Sequence, residues 1–424
     1  MNQTSLSSSS SRPELLSTAQ ALDLLLAAVR PVTEVETLAT LQAHRRVLAA
    51  SIISPLDVPP MAISAMDGYA VRCADWAAIN PQAAGQSSMR MPISQRIPAG
   101  HPAQPLAAAS AARIFTGATV PPGADAVVMQ EMATAEGDHV SFAAAPKTGE
   151  WITAQGADIR AGTEILAAGR RLDAQAVGLA ASVGCAGLPV LRRVKVAVFF
   201  TGDELTMPGE ALKPGAIYNS NRFTLRALLE NLGCEVSDFG IVPDQLATTQ
   251  ATLKEAARAH DLVLTSGGVS VGEEDHVKPA VESMGRLNLW QIAVKPGKPL
   301  AFGEIDRAAA SPAFFIGLPG NPVSSFVTFL LFVRPFVLRL QGVIDVAPRV
   351  FSVRADFSQT KADRRNEFLR ARLNADGGLD LFANQSSAVL TSTVWGDGLI
   401  DNPPGHAIAA GEFVRFMPFS ELLA

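Results

Sequence analysis

Cysteine is scarce: three residues, Cys73, Cys185 and Cys234, stand in 424, and none forms a CxxC pair. That excludes a disulfide framework and a thiolate zinc site, and it fits a reducing compartment. A basic excess is also lacking. The 35 lysines and arginines face 40 acidic residues, leaving a net charge of −5, which argues against a nucleic-acid scaffold. Small anions bind local patches and are untouched by that argument. The serine-rich start, Ser5 to Ser11, lacks a basic segment followed by an apolar one, so no secretory signal is expected. The apolar stretch Val327–Leu338 is broken by Arg334 and Pro335 and falls short of the ~20 residues of a membrane span. It reads as a buried helix. The expected setting is cytoplasmic, with no nucleic acid and no membrane as partner. The six histidines are scattered and form no metal constellation.

What is present is apolar material: 48% of residues are hydrophobic and 18% charged, ample for packed cores. The length suggests about two to four domains. Residues 14–50 read as helical, with Ser17 or Thr18 as N-cap. From Pro55 to about Pro146, short β-like runs alternate with Pro and Gly turns. Residues 156–190 return to a helix-and-turn texture. The expected division is a discontinuous N-terminal domain (14–54 plus 150–191), a β-rich domain (55–149), an α/β domain (192–342) and a C-terminal β domain resembling an open barrel (347–424). Within the α/β part, Arg193–Phe200 is a near-continuous apolar run, as in a strand buried on both faces. Strands and helices then alternate, which predicts a three-layer unit with a mostly parallel sheet.

In such a sheet, ligands bind beyond the carboxyl ends of the strands. Five expected strand ends carry suggestive residues: Thr201-Gly202-Asp203-Glu204, Pro243-Asp244, Ser266-Gly267-Gly268 leading to Asp275, Lys295-Pro296-Gly297-Lys298-Pro299, and Leu318-Pro319-Gly320-Asn321-Pro322. Glycines let backbone N–H groups approach an anion, lysines supply positive charge, and carboxylates beside phosphates suggest Mg²⁺. Each piece alone has an ordinary explanation as a turn, a cap or a solvated loop. Their convergence on one sheet edge is the signal. Asn321, Pro322 and Ser324 fit N-cap, N1 and N3 of a helix whose free amides would hold an anion. GGVSVG is followed by Glu273 and Glu274, not by the Lys and Ser/Thr of a P-loop, and no GxGxxG opens a helix. The residues alone reach an Mg²⁺-assisted phosphate site with lysines for a second anion.

With these motifs in hand, the chain resembles the molybdopterin molybdenumtransferase family, bacterial MoeA and the E-domain of gephyrin-like proteins. The matching segments are PLDVPPMAISAMDGYAV (55–71), IFTGATVPPGADAVVMQE (114–131), TGDEL (201–205), GAIYNSN (215–221), TSGGVSVGEED (265–275), KPGKP (295–299) and GLPGNPVS (317–324). Departures are small: Met61-Ala62-Ile63 before SAMDGYA, and Phe200 before TGDEL. The resemblance implies an elongated four-domain homodimer whose cleft is completed by the partner's β-rich domain. It implies insertion of molybdenum from molybdate into adenylylated molybdopterin, with release of AMP and with Mg²⁺ as cofactor. Molybdopterin adenylyltransferase and molybdoenzyme maturation proteins are candidate partners.

By the same resemblance, Asp67, Thr116, Glu204, Asp244 and Asp275 are catalytic, with Glu204 and Asp244 as metal ligands. Lys295, Lys298, Pro299 and Ser324 would bind substrate by that resemblance, and the strand-end residues Ser266, Gly267, Gly268, Gly320 and Asn321 are expected to bind it with them. Arg370 and Ser387 (or Ser386 or Ser392) supply the C-terminal domain's share. Asp67 or Asp275 would orient water or assist the metal, and Lys295, Lys298 and Arg370 would hold molybdate. Two competing functions are an adenylyltransferase, which shares the α/β domain but needs no domains carrying Asp67, Thr116 and Arg370, and a scaffold protein.

Overall fold

The computed structural model describes residues 15–79, 89–268, 276–308 and 311–423. Its centre is a six-stranded sheet in the spatial order 235–242, 195–201, 262–266, 313–318, 299–305, 285–291. Lys195–Thr201 sits inside, with parallel neighbours on both sides. Its side chains alternate between two cores, Val196, Val198 and Phe200 on one face and Ala197 and Phe199 on the other. Both faces are dry, so the strand is apolar throughout rather than alternating.

Helices Ser220–Asn231 and Thr18–Ala28 and the long helical segment 322–340 cover the first face. Helices Leu246–Ala259 and Val277–Glu282 cover the second. The first four strands run parallel, whereas Pro299–Ile305 runs against them and pairs antiparallel with both Ala313–Leu318 and Gly285–Gln291. Pro299–Ile305 had no counterpart in the sequence reading, because KPGKP hides the strand that it introduces.

Segment 322–340 is long and apolar enough to cross a membrane by length and composition, but most of it is buried inside the protein. Its ring of π-turn residues, Phe329–Val333, lies just before Pro335 and loosens the backbone ladder where proline has no N–H to give. The Arg334 guanidinium donates to the Val346 and Glu421 carbonyls, tying the helix to the C-terminal domain. Phe336 is fully buried, with its ring edge-on to Phe302 at 5.7 Å and Phe314 at 5.1 Å. Phe336→Ala should therefore cost about 3–5 kcal/mol, read as a lower denaturant midpoint for the α/β domain. A midpoint at the wild-type value would mean that the cavity collapses.

The N-terminal expectation needs correction. Of residues 14–50, only Thr18–Ala28 is an α-helix, started by Ser17 and Gln20 in a reciprocal capping box. Val35–Ala39 is a strand paired with Gly187–Leu191, and Ile52–Ile53 pairs with Glu164–Leu166. Pro31 ends the helical stretch, and Val35-Glu36-Thr37-Leu38 then suits an extended, half-exposed ribbon. The β-rich region holds a sheet in the order 126–129, 68–71, 111–114, 89–97, 139–142, 133–136. In the C-terminal region the order is 294–295, 366–373, 398–402, 413–418, 351–354. Val294–Lys295 thus leaves the central unit and joins the C-terminal sheet, parallel to Asn366–Glu367.

Candidate active site

Thr265 and Ser266 end a strand whose residues are all buried, and the chain then turns at Gly267 (φ +95°) and Gly268 (φ +64°). A Cβ on Gly268 would lie 2.7 Å from both Thr201 Oγ1 and Val277 Cγ2. Backbone conformation and close packing together demand glycine there. Gly268→Ala should cost roughly 1–3 kcal/mol and disturb the loop that it opens. Thermal unfolding of that variant is the check, and an unchanged melting curve would refute the packing argument.

The Ser266 hydroxyl accepts from Asn221 Nδ2 at 2.6 Å, and the same amide nitrogen donates to the Gly320 carbonyl at 2.8 Å. Asn221 therefore fastens the Gly267–Gly268 turn to the Pro319–Asn321 loop. Sequence alone does not single it out as a site residue, although it closes the GAIYNSN motif. Asn321 stands at the N-cap with Pro322 at N1, but its side chain makes no cap bond. The Val323 amide is met instead by the Ser387 carbonyl of the C-terminal domain at 3.0 Å.

Between these loops lies a cavity of about 650 Å³. Gly267, Gly268, Lys295, Lys298, Pro299, Gly320, Asn321, Ser324 and Ser387 line it, joined by Pro296, Gly297, Pro319, Arg365, Gln385 and Ser386. Ser266 sits behind the wall. Lys295 Nζ is held by Glu367 at 2.9 Å and Asp363 at 3.2 Å. Burial opposes its charge, but the two carboxylates outweigh burial and keep its pKa above the ordinary lysine value. Asp363 is pulled well below the usual carboxylate range, first by the Arg365 guanidinium. Lys298 is exposed on the wall and, among the described residues, has no carboxylate partner.

Arg370 is the main revision. It is 1% exposed, and its guanidinium donates to Ser392 Oγ at 3.0 Å and the Ser386 carbonyl at 3.2 Å. Burial without a carboxylate lowers its pKa to about 10. It props the 385–387 loop from behind and does not line the cavity. Arg365, its guanidinium paired with Asp363, lines the cavity. Of the three serines left open, Ser386 and Ser387 face the cavity, while Ser392 is fully buried against Arg370.

The carboxylates lie elsewhere. Glu204 and Asp244 follow the ends of adjacent strands, which pair Thr201 with Val242. Two carboxylates at one sheet edge suit Mg²⁺, which completes its shell with water and phosphate oxygens. Among the described residues, no group of three or more His, Cys, Asp or Glu side chains could hold a metal by itself. Asp275 lies outside the described residues. Asp67 and Thr116 meet in the β-rich region and are not on the cavity wall. Asp67 Oδ1 accepts from the Thr116 amide and from its hydroxyl, both at 2.8 Å. Those two bonds, the amide first, depress the Asp67 pKa.

A three-layer α/β unit with a glycine- and lysine-lined cleft, joined by a β domain and a β-rich one, defines a multidomain protein whose cleft suits an anion. Three family models span most of the chain: the MoeA N-terminal region (domains I and II) over 16–184, a probable molybdopterin binding domain over 197–339, and the MoeA C-terminal region (domain IV) over 352–419. The chain is 40% identical over 400 residues to a molybdopterin molybdenumtransferase of Haemophilus influenzae, covering 92% of this chain and 95% of that protein. It is 36% identical over 396 residues to molybdopterin molybdenumtransferase 2 of Mycobacterium tuberculosis, covering 91% and 95%. The crystal structure of a molybdopterin biosynthesis MoeA protein from Pyrococcus horikoshii superposes with a TM-score of 0.81 at 27% identity, covering 96% of this chain and all of that one. The chain belongs to the molybdopterin molybdenumtransferase (MoeA) family of enzymes.

Proposed function

We propose that this enzyme inserts molybdenum from molybdate into adenylylated molybdopterin and releases AMP, assisted by Mg²⁺. The observation that carries the reading is the cleft itself. One wall offers the Gly267–Gly268 turn and the Pro319–Asn321 loop to a phosphate-bearing pterin, and the other offers Lys298 and Arg365 to an oxyanion. Relatives named molybdopterin molybdenumtransferase at 36–40% identity support the transfer of molybdenum to molybdopterin.

In this scheme, Lys298 binds the molybdate dianion and Lys295, held by Asp363 and Glu367, fixes the floor beside it. Ser324 and Ser387 donate to its oxygens, and Arg370 keeps the Ser386–Ser387 loop in place. The Gly267–Gly268 turn and Asn321 receive the pterin phosphate. Glu204 and Asp244 hold Mg²⁺, which when bound neutralises charge on the phosphoanhydride. Asp67, fixed by Thr116, orients the water or oxygen that meets the adenylate. Since Asp67 and Thr116 are not on the cavity wall, a second copy presents them, and the working form is a homodimer. An adenylyltransferase supplies the substrate, and molybdoenzyme maturation proteins take the product in the cytoplasm.

The test is incubation of purified protein with adenylylated molybdopterin, Mg²⁺ and molybdate. Molybdate-dependent AMP release is expected, and its absence would overturn the reading.

A further inference from the structure

Two arginines of the β-rich region stand on neighbouring strands with no carboxylate in ion-pair contact among the described residues, although Arg113 lies close enough to Asp67 to help lower its pKa. Strand Met89–Ile97 runs parallel to Ala111–Ile114 and sets Arg96 opposite Arg113. The next strand, Gly68–Val71, sets Tyr69 opposite Arg113 on its other side. Both guanidinium carbons lie over the Phe115 ring, at 4.6 Å from Arg96 and 4.7 Å from Arg113, and Arg113 also lies 5.1 Å from the Tyr69 ring centre. Arg113 donates to the Gly68 carbonyl at 3.2 Å and to Gln130 Oε1 at 2.6 Å. The nearby Glu131 carboxylate accepts from Gln130. Among the described residues, neither arginine has a carboxylate within ion-pair distance, and Arg96 is exposed and makes no hydrogen bond.

Like charges directly across a strand pair are unfavourable. Stacking on aromatic rings holds the two guanidinium planes in place without consuming their charge. What remains is two arginines on neighbouring strands, packed on one aromatic ring, with charge left to offer an anion such as a phosphate. Phe115 directly precedes Thr116, whose amide and hydroxyl hold Asp67, so the pair borders the Asp67–Thr116 contact.

We propose that Arg96 and Arg113 form a phosphate-binding platform on the β-rich domain, and that it receives the adenylate phosphate of the substrate seated in a second copy's cleft. The identity of the substrate rests on the reading above; the platform rests on the arginine pair. Its ligand is a nucleoside monophosphate group, recognised through the phosphate rather than the base.

The experiment is calorimetric titration of the full-length protein with AMP, inorganic phosphate and adenosine at low salt, using wild type, Arg96→Ala and Arg113→Lys. Arg96 is the principal variant because it makes no hydrogen bond that the fold would lose. AMP should bind the wild type, compete with inorganic phosphate, and weaken about tenfold or more in Arg96→Ala, with an unchanged melting curve; adenosine should show no such dependence. In turnover, KM for the adenylylated substrate should rise more than kcat falls. AMP affinity unaltered by both substitutions, or no AMP binding to the wild type, would overturn the platform. Wild type that binds AMP through Arg96 but releases none in the presence of molybdate would overturn the reaction and leave the platform standing.

Discussion

Lys298→Ala should raise the molybdate concentration for half-maximal AMP release by roughly 10- to 150-fold. A hydrogen bond to a charged group contributes about 1.5–3 kcal/mol, and each ~1.4 kcal/mol is a factor of ten. Lys298 is exposed on the cavity wall and has no carboxylate partner among the described residues, so its removal leaves no buried charge behind. The effect should therefore fall on molybdate and not on stability. Lys295 provides the contrast. Glu367 is 1% exposed and Lys295 is its cation, so Lys295→Ala strands a buried carboxylate and lowers the melting temperature as well. Molybdate titration of AMP release, with melting curves for both variants, separates the two. An unchanged molybdate dependence in Lys298→Ala would remove it from the oxyanion site.

Asp67→Asn should slow AMP release by about 100-fold or more at saturating molybdate, within the ~10²–10⁴ range of a positioned acid–base group. The variant keeps the shape and the acceptor oxygen toward Thr116 but loses the charge. A wild-type rate would end the catalytic role of Asp67. The pH dependence has a sign of its own. The Thr116 amide and hydroxyl bind the charged form of Asp67, so its pKa is depressed below 3.8. As pH falls, the carboxylate stays ionised until the pH reaches that lowered value. An acid limb of AMP release due to Asp67 should thus lie below the usual aspartate range, and Thr116→Val should move it upward. A limb that does not move on Thr116→Val would assign it to another group.

The central sheet was legible because burial on both faces writes itself as unbroken apolar runs, as in KVAVFFT. The cleft was legible for a related reason: strand ends gather glycine, lysine and asparagine wherever a sheet edge must meet an anion. The exchange of Arg370 for Arg365 was not legible. Strand Asn366–Leu373 has five consecutive buried residues, so alternation gives no clue to which arginine faces outward. The pairing of Val294–Lys295 with Asn366–Glu367, a contact across 72 positions, brings Arg365 to the cavity. Asn221 escaped for another reason. It lies 45 residues from Ser266 and 99 from Gly320, and nothing local announces a side chain that joins two distant loops. The ribbon at Val35–Ala39 was misread because a short half-exposed strand has too few apolar residues to set a period.

The two-residue strand Val294–Lys295 makes Lys295 answerable to two domains at once. Its backbone pairs with the C-terminal sheet, and its ammonium rests on Asp363 and Glu367. Yet the chain on either side, Gly285–Gln291 and Pro299–Ile305, belongs to the central sheet. A rotation of either domain would therefore drag the cation out of register with the glycine turns opposite. The cleft works as a gauge of domain alignment, and a chain cut after residue 342 would lose the setting of its charge as well as one wall.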